Sequence, residues 1–410
     1  MPTKRSLYFE IFLIALAVIV LEVSYTRVFS YKLVYYFTYL VIGVSLLGLG
    51  AGGVFVSLFE SLRRIPPRRL ILICSLVASL SVTVGYFITA LLPMNLFQMV
   101  IHLGEGRWDT VILEMAKLAI LLVTLFIPFA AAGVALAIIF ATRTENISRL
   151  YFADLSGAAL GCTMIIPIMI YLSPPGGVLL AALCFAISVW NLARDEGRSW
   201  VVGVAGSAAL ALLFVIAPGL LPDPVKDNIK GDSDAEAIFS RWSPVFRVDV
   251  VPIPLPGAAP SNFLVHDGTL GSVLYSWDGK KESLGRYDTL DRQYPFRLLG
   301  PGADVAIVGS AGGNEVMASL HFEANHVTGI ELNPVTVDLL HNEFADFTGR
   351  LVEHPKVEIV NAEGRAFLEG SGQNFDLIWL VAPDSYAAMN AASSGAFVLS
   401  ESYLYTREMI

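Results

Sequence analysis

The sequence predicts a multi-span α-helical membrane domain followed by an α/β domain on a parallel sheet, with a small antiparallel β subdomain ahead of that sheet. Three observations predict it. Only 15% of the 410 residues are charged and the mean hydropathy is +0.63, well outside the range of ordinary soluble proteins. The apolar residues concentrate before about residue 222. Beyond that point, short charge-free runs alternate with helical patterns, as in a parallel sheet covered on both faces.

In the first half, seven long apolar segments fall near 8–26, 33–59, 70–92, 112–140, 153–173, 176–193 and 200–222. Most reach the roughly 18–20 apolar residues needed to cross a hydrocarbon core. The first is too long to be a cleaved signal peptide, and no small-residue cleavage site follows it. The lipid bilayer is therefore a partner, and the chain is expected in a plasma or inner membrane. Lys4 and Arg5, the cluster Arg63, Arg64, Arg68 and Arg69, and the pair Arg143 and Arg149 share one side if successive segments cross. That side is cytoplasmic by the positive-inside rule. Seven crossings would then place the C-terminal domain outside, which conflicts with an intracellular ligand. The expected resolution is that 153–173 does not fully cross, or that the fourth segment breaks in two at Pro128.

Several charges lie in or beside these spans. Intramembrane charge invites a functional reading, but Glu114 with Lys117, and Glu22 with Arg27, have the spacing of ion pairs. Glu10 and Asp154 are left without an obvious mate in sequence. Gly48 to Gly53 predicts close helix packing. Cys74, Cys162 and Cys184 lie in apolar segments without metal spacing and read as small buried hydrophobes. A net charge of −9 and the lack of a basic stripe after residue 222 argue against nucleic acid.

Proline and glycine end the last apolar segment between Pro218 and Pro224, and residues 225–240 read as linker with a short helix. The domains expected are thus 1–222 in the membrane, 223–300 linker and β subdomain, and 301–410 a nucleoside-binding α/β domain. Arg247 to Val251 alternates as a half-buried strand; Asn262 to Gly268 is a strand entering a turn, and Gly271 to Tyr275 its return. Tyr287 to Leu299 has helical periodicity through Leu290, Tyr294 and Leu298, with Pro295 expected to kink or shorten the helix.

The chemistry centres on Val305 to Pro334. Val305 to Val308 is a short apolar strand, and Gly309, Gly312 and Gly313 form a turn with little side-chain bulk. Its backbone N–H groups and the following helix N-terminus are expected to be free to face a ligand. The next strand, Val327 to Ile330, ends on Glu331, about 20 residues on, where an acid can accept both hydroxyls of a ribose. This is a Rossmann-like pattern. A helix opens at Pro334. Val357 to Val360 is a third strand, ending at Glu363 and Gly364, and Phe375 to Leu380 is a fourth, ending before Asp384. Glu331, Glu363 and Asp384 thus converge on the rim where ligands of open α/β sheets bind; an N-cap is the structural alternative for each acid singly.

These residues resemble the spermidine synthase (polyamine aminopropyltransferase) family within the methyltransferase-type folds that bind S-adenosylmethionine, and most of all its membrane-embedded branch. The resemblance covers about residues 240–410 in detail. It implies that the Gly309–Gly313 turn and Glu331 bind the nucleoside, the latter through its ribose. It implies further that Glu363 with Gly364 reads the adenine, and that Asp384 holds an amine, a polyamine among the candidates. Leu404 to Glu408 is similar to the family's Tyr-Thr-x-Glu stretch near the active site. The implied donor is S-adenosylmethionine or decarboxylated S-adenosylmethionine, without a metal.

Three departures accompany the likeness. Gly312 stands where the family carries an aspartate for the aminopropyl amine, Val381 where it carries the proton-accepting acid, and Gly271 where a glutamine is usual. Aminopropyl transfer is the first function expected. Methyl transfer to a membrane-soluble substrate is the second, because it needs none of those acids. A transporter or sensor regulated by a nucleoside-binding domain is the third. A methyltransferase-type sheet normally has seven strands, so the sequence is expected to be part of a longer chain, with completion by another chain, such as a second copy, as the alternative.

Overall fold

The structure, a computed structural model, describes residues 4–33, 38–142, 147–193, 205–206, 208–210, 212–213, 216, 220–224, 237–253, 259–381, 404 and 406–407. The chain divides into two compact units, Met1–Gly231 and Asp232–Ile410.

The first unit is helical: α1 (Lys4–Lys32), α2 (Thr38–Leu58), the short α3 (Glu60–Arg64), α4 (Pro67–Leu91), α5 (Leu96–Gly104), α6 (Trp108–Thr142), α7 (Ile147–Tyr171) and α8 (Ser173–Ala193). Among the described residues, six of these (α1, α2, α4, α6, α7 and α8) are long and apolar enough to cross a membrane. This is an integral membrane protein. Helix α1 packs on α7 and α8, α2 on α6, and α4 on both α6 and α8. Glycines set the closest approaches. A Cβ on Gly52 would lie 2.3 Å from the Val134 backbone nitrogen of α6, and one on Gly157 of α7 would lie 2.2 Å from the Phe12 carbonyl of α1. Gly48 also faces α6, whereas Gly50 and Gly53 have open space. Positions 48 and 52 share one helix face, so the glycine run serves packing through that face.

The expected break of the fourth segment at Pro128 does not occur. Helix α6 runs unbroken through Pro128, and α7 is a single 25-residue helix. Proline is tolerated inside a membrane helix because neighbouring helices accommodate the freed carbonyl. The seventh apolar segment falls mainly outside the described residues. Cys162 is exposed on α7, unlike buried Cys74 and Cys184. Glu114 pairs with Lys117 at 2.6 Å. Glu22 accepts from Ser45 of α2 at 3.0 Å, and fully buried Glu10 accepts from Ser188 and Asn191 of α8. These two carboxylates tie α1 to its neighbours.

In the second unit, β1 (Phe239–Arg241), β2 (Val248–Pro252), β3 (Ser261–His266) and β4 (Thr269–Tyr275) form an antiparallel sheet in that order. The hairpin between β3 and β4 turns on Asp267 and Gly268, both at positive φ, the backbone that a tight two-residue turn requires. Strand β2 is buried almost throughout instead of alternating, because Arg247 and Asp249 form an internal ion pair at 2.9 Å. His266 stacks on Phe246 at 4.2 Å, and burial pushes its imidazole down to about 4. Gly271 leaves room for this ring, since a Cβ there would lie 2.2 Å from His266 Nδ1.

The chain then makes 3-10 turns over Lys281–Thr289 and Asp291–Gln293 and a short helix, α9 (Tyr294–Leu299). The expected helix from Tyr287 is corrected. Pro295 sits in the first turn of α9, where its missing N–H is not needed. Leu290, Tyr294 and Leu298 are exposed, whereas Leu284, Tyr287 and Phe296 enter the core.

Strands β5 (Asp304–Val308), β6 (His326–Glu331), β7 (Val357–Asn361) and β8 (Leu377–Leu380) form a parallel sheet in the order β7-β6-β5-β8. Helices α10 (Asn314–His321), α11 (Pro334–His341) and α12 (Gly364–Gly370) connect them with loops. The order steps outward from β5 on one side and then resumes on its other side with β8, which makes the β5–β8 boundary a topological switch point. Val248, Val250, Leu264 and Leu274 of the antiparallel sheet form one apolar cluster with Val335, Leu339 and Leu340 of α11.

Candidate functional site

Parallel register fixes the rim. Val308 pairs with Ile330 and with Leu380, and Glu331 with Asn361, so the C-terminal ends of all four strands share one edge. The loops after β5, β6 and β7 therefore meet there.

The turn after β5 is wound tightly. Gly309 and Gly313 have φ of 81° and 79°, and Ala311, a non-glycine, has 41°. The expectation that its amides are free is corrected. Gly309 and Ser310 both donate to the Ile330 carbonyl, Gly313 donates to Ser310, and Ala311 donates to Glu331 Oε2 at 3.0 Å. Of the five, Gly312 alone is without an acceptor among the described residues. Gly313 caps α10 with no side-chain hydrogen bond, which leaves that helix end to backbone or ligand.

Glu331 is 5% exposed. Its other oxygen accepts from Asn333 N at 2.8 Å. Burial raises its carboxyl above the usual carboxylate range, and the backbone N–H groups of Asn333, Ala311 and Leu332 counter that rise. Asn361 Nδ2 donates to the Glu331 and Leu332 carbonyls at 2.9 and 3.0 Å and so fixes the strand end that carries the acid. Each carboxylate oxygen has a second lone pair, the acceptor capacity that a ribose diol would use.

Gly312 answers to packing. A Cβ there would stand 2.7 Å from the Val273 carbonyl of β4, so the turn approaches the antiparallel sheet only with glycine at this position. Gly364 is buried for a similar reason, with a Cβ falling 2.5 Å from Val308 Cγ1 and 3.4 Å from Leu404 Cδ2. Glu363 is exposed and caps α12, accepting from Arg365 N at 3.1 Å and Ala366 N at 2.8 Å. Both oxygens are thus engaged by the helix, the role weighed above as the structural alternative.

Leu404 packs with Val308 and Ile330 at the same rim. Asp384 lies outside the described residues. Val381 donates its N–H to Val308 and packs on the core.

Sequence reasoning missed Tyr275, Tyr287 and Arg286. Tyr287 is buried, burial pushes its phenol up to about 12, and it shares a 2.7 Å hydrogen bond with Asn314 at the start of α10. Arg286 packs against the rings of Tyr275 and Tyr287. The only signal was their place in the chain, Tyr275 at the end of β4 and Arg286 and Tyr287 between β4 and the glycine turn.

No protein-family model matches this chain, and no curated protein matches it.

Proposed function

We propose that the protein is a membrane-anchored transferase whose second unit binds an adenosyl sulfonium, S-adenosylmethionine or its decarboxylated form, on a Rossmann-like, methyltransferase-type sheet resembling that of spermidine synthases. Glu331 carries the reading. It is a buried carboxylate at the end of β6, bonded to the glycine turn of the neighbouring strand, and the rim it occupies is where open α/β sheets bind nucleotides. Glu331 accepts the ribose hydroxyls and the turn supports the sulfonium side.

In such a transfer a nucleophile attacks a carbon bound to sulfur. The electron pair of the breaking C–S bond goes to sulfur, and a neutral thioether leaves. An amine nucleophile must first lose a proton, because its unperturbed pKa is about 10, and a nearby carboxylate is the usual acceptor.

The packing at Gly312 favours a second reading of the group transferred. The turn has no room for an acid there, and Val381 supplies none. Methyl transfer to a membrane substrate needs neither, so the acceptor is a lipid-soluble molecule under that reading and a small amine or polyamine under the first.

We infer a cytoplasmic location for the soluble unit. Six spans among the described residues, from a cytoplasmic N-terminus and with the seventh apolar segment not crossing, would leave every basic cluster named above, and Arg194 with Arg198, on the inner side. The test of function is calorimetric titration of the full chain in detergent with each donor separately. Tighter binding of the decarboxylated donor supports aminopropyl transfer, preference for S-adenosylmethionine supports methyl transfer, and binding of neither overturns the proposal.

A further inference from the structure

Arg286 is a partly buried cation that no carboxylate partners among the described residues. Its guanidinium carbon stands 4.1 Å from the centre of the Tyr275 ring and 4.9 Å from that of Tyr287. Its Nη2 donates to Tyr287 Oη at 3.2 Å and to Met317 Sδ at 3.3 Å. Its Nε is buried without an acceptor among the described residues. The acid in the first turn of α10, Glu315, is held by Arg292 at 2.7 Å. A guanidinium presents five donors in a planar fork suited to a carboxylate or phosphate. Here a phenol and a thioether, both weak acceptors, take the two contacts it makes. A cation withdrawn from water without an anion is unfavourable, so this arrangement is one that a ligand's anion completes.

Its position indicates which anion. Tyr275 lies two residues beyond Val273, whose carbonyl abuts Gly312, and Met317 and Tyr287 both belong to the surroundings of the first turn of α10. Arg286 therefore flanks the glycine turn on its α10 side, while Glu331 grips the same turn at Ala311.

We infer that Arg286 binds the carboxylate of the donor's amino-acid tail, so that the site selects S-adenosylmethionine and S-adenosylhomocysteine over the decarboxylated donor. The inference rests on the nucleoside-binding reading above. It is tested by titrating the full chain, as wild type, Arg286→Met and Arg286→Lys, with S-adenosylhomocysteine, tail-less 5′-methylthioadenosine and adenosine monophosphate.

Arg286→Met is expected to weaken S-adenosylhomocysteine about 10- to 100-fold, the worth of one charged hydrogen-bonding group, and to leave 5′-methylthioadenosine unchanged. Arg286→Lys restores part of the loss. Unchanged S-adenosylhomocysteine affinity in Arg286→Met, with 5′-methylthioadenosine still binding, overturns the role of Arg286 and spares the nucleoside reading. Failure of wild type to bind 5′-methylthioadenosine overturns the nucleoside reading itself. Adenosine monophosphate binding more tightly than S-adenosylhomocysteine, and losing that advantage in Arg286→Met, makes the anion a phosphate and also overturns the assignment.

Discussion

Gly312→Ala tests why this turn lacks the acid that the resemblance leads one to expect. The added Cβ would lie 2.7 Å from the Val273 carbonyl oxygen, 3.2 Å from its carbon and 3.3 Å from Leu274 Cδ2. Ordinary contact begins near 3.4 Å, so the turn or the strand must retreat by 3.4 − 2.7, or 0.7 Å. Strand β4 is poorly placed to yield, because Val273 is paired with Phe263 in the middle of the β3–β4 ladder. Overpacking of this kind costs about 1–3 kcal/mol. Hydrogen exchange of peptides from β5 and α10 reads the loss within this unit alone, as exchange about 5- to 150-fold faster. Gly370→Ala, at a site with open space around it, is the control and should change stability by less than about 0.5 kcal/mol. Exchange of Gly312→Ala within twofold of wild type would refute the packing account, and an aspartate at 312 would then be admissible.

Three further predictions follow from other parts of the molecule. His266 is held neutral with its imidazole down at about 4, below its ordinary 6.5; its contribution to stability is therefore complete above pH 6.5 and is lost as pH falls toward 4, by up to about 3 kcal/mol. Denaturant midpoints of the second unit should drop over that window more in wild type than in His266→Asn. Glu331, raised by burial, acts in the opposite sense, and it is common to both proteins. Glu363→Ala removes the α12 cap and should destabilise by about 1 kcal/mol, while Glu363→Ser keeps cap and nucleoside affinity; a serine variant that folds as wild type but loses adenosine binding would return Glu363 to an adenine role. In the membrane unit, Gly52→Leu puts a side chain into the α6 backbone and should lower the thermal unfolding temperature in detergent, whereas Gly53→Leu should not.

Much of this architecture was legible from residue chemistry. Membrane helices announce themselves by uninterrupted apolar length, and the core strands of a parallel sheet by short runs free of charge, so β5 to β8 fall within a residue or two of expectation. Glu331 was placed at the end of β6 by its strand-end position about 20 residues beyond the glycines. The misses are tertiary. Leu290, Tyr294 and Leu298 have helical spacing, yet the core takes Leu284, Tyr287 and Phe296, because 3-10 turns and a helix that starts only at Tyr294 reset the phase. About half of the seventh apolar segment, and Asp384, lie outside the described residues. No local pattern distinguishes Glu363 as a cap from Glu363 as a ligand-binding acid, nor places Arg286 between two tyrosines from different elements.

The central claim is that Glu331 receives a ribose. The most direct measurement compares the affinity of the full-length chain for S-adenosylhomocysteine and for its 2′,3′-dideoxy analogue, in wild type and in Glu331→Gln. Two charge-assisted hydrogen bonds predict at least about a tenfold preference for the ribose form in wild type, largely abolished in Glu331→Gln. Equal affinity of wild type for both ligands, or an undiminished preference in Glu331→Gln, would contradict the account.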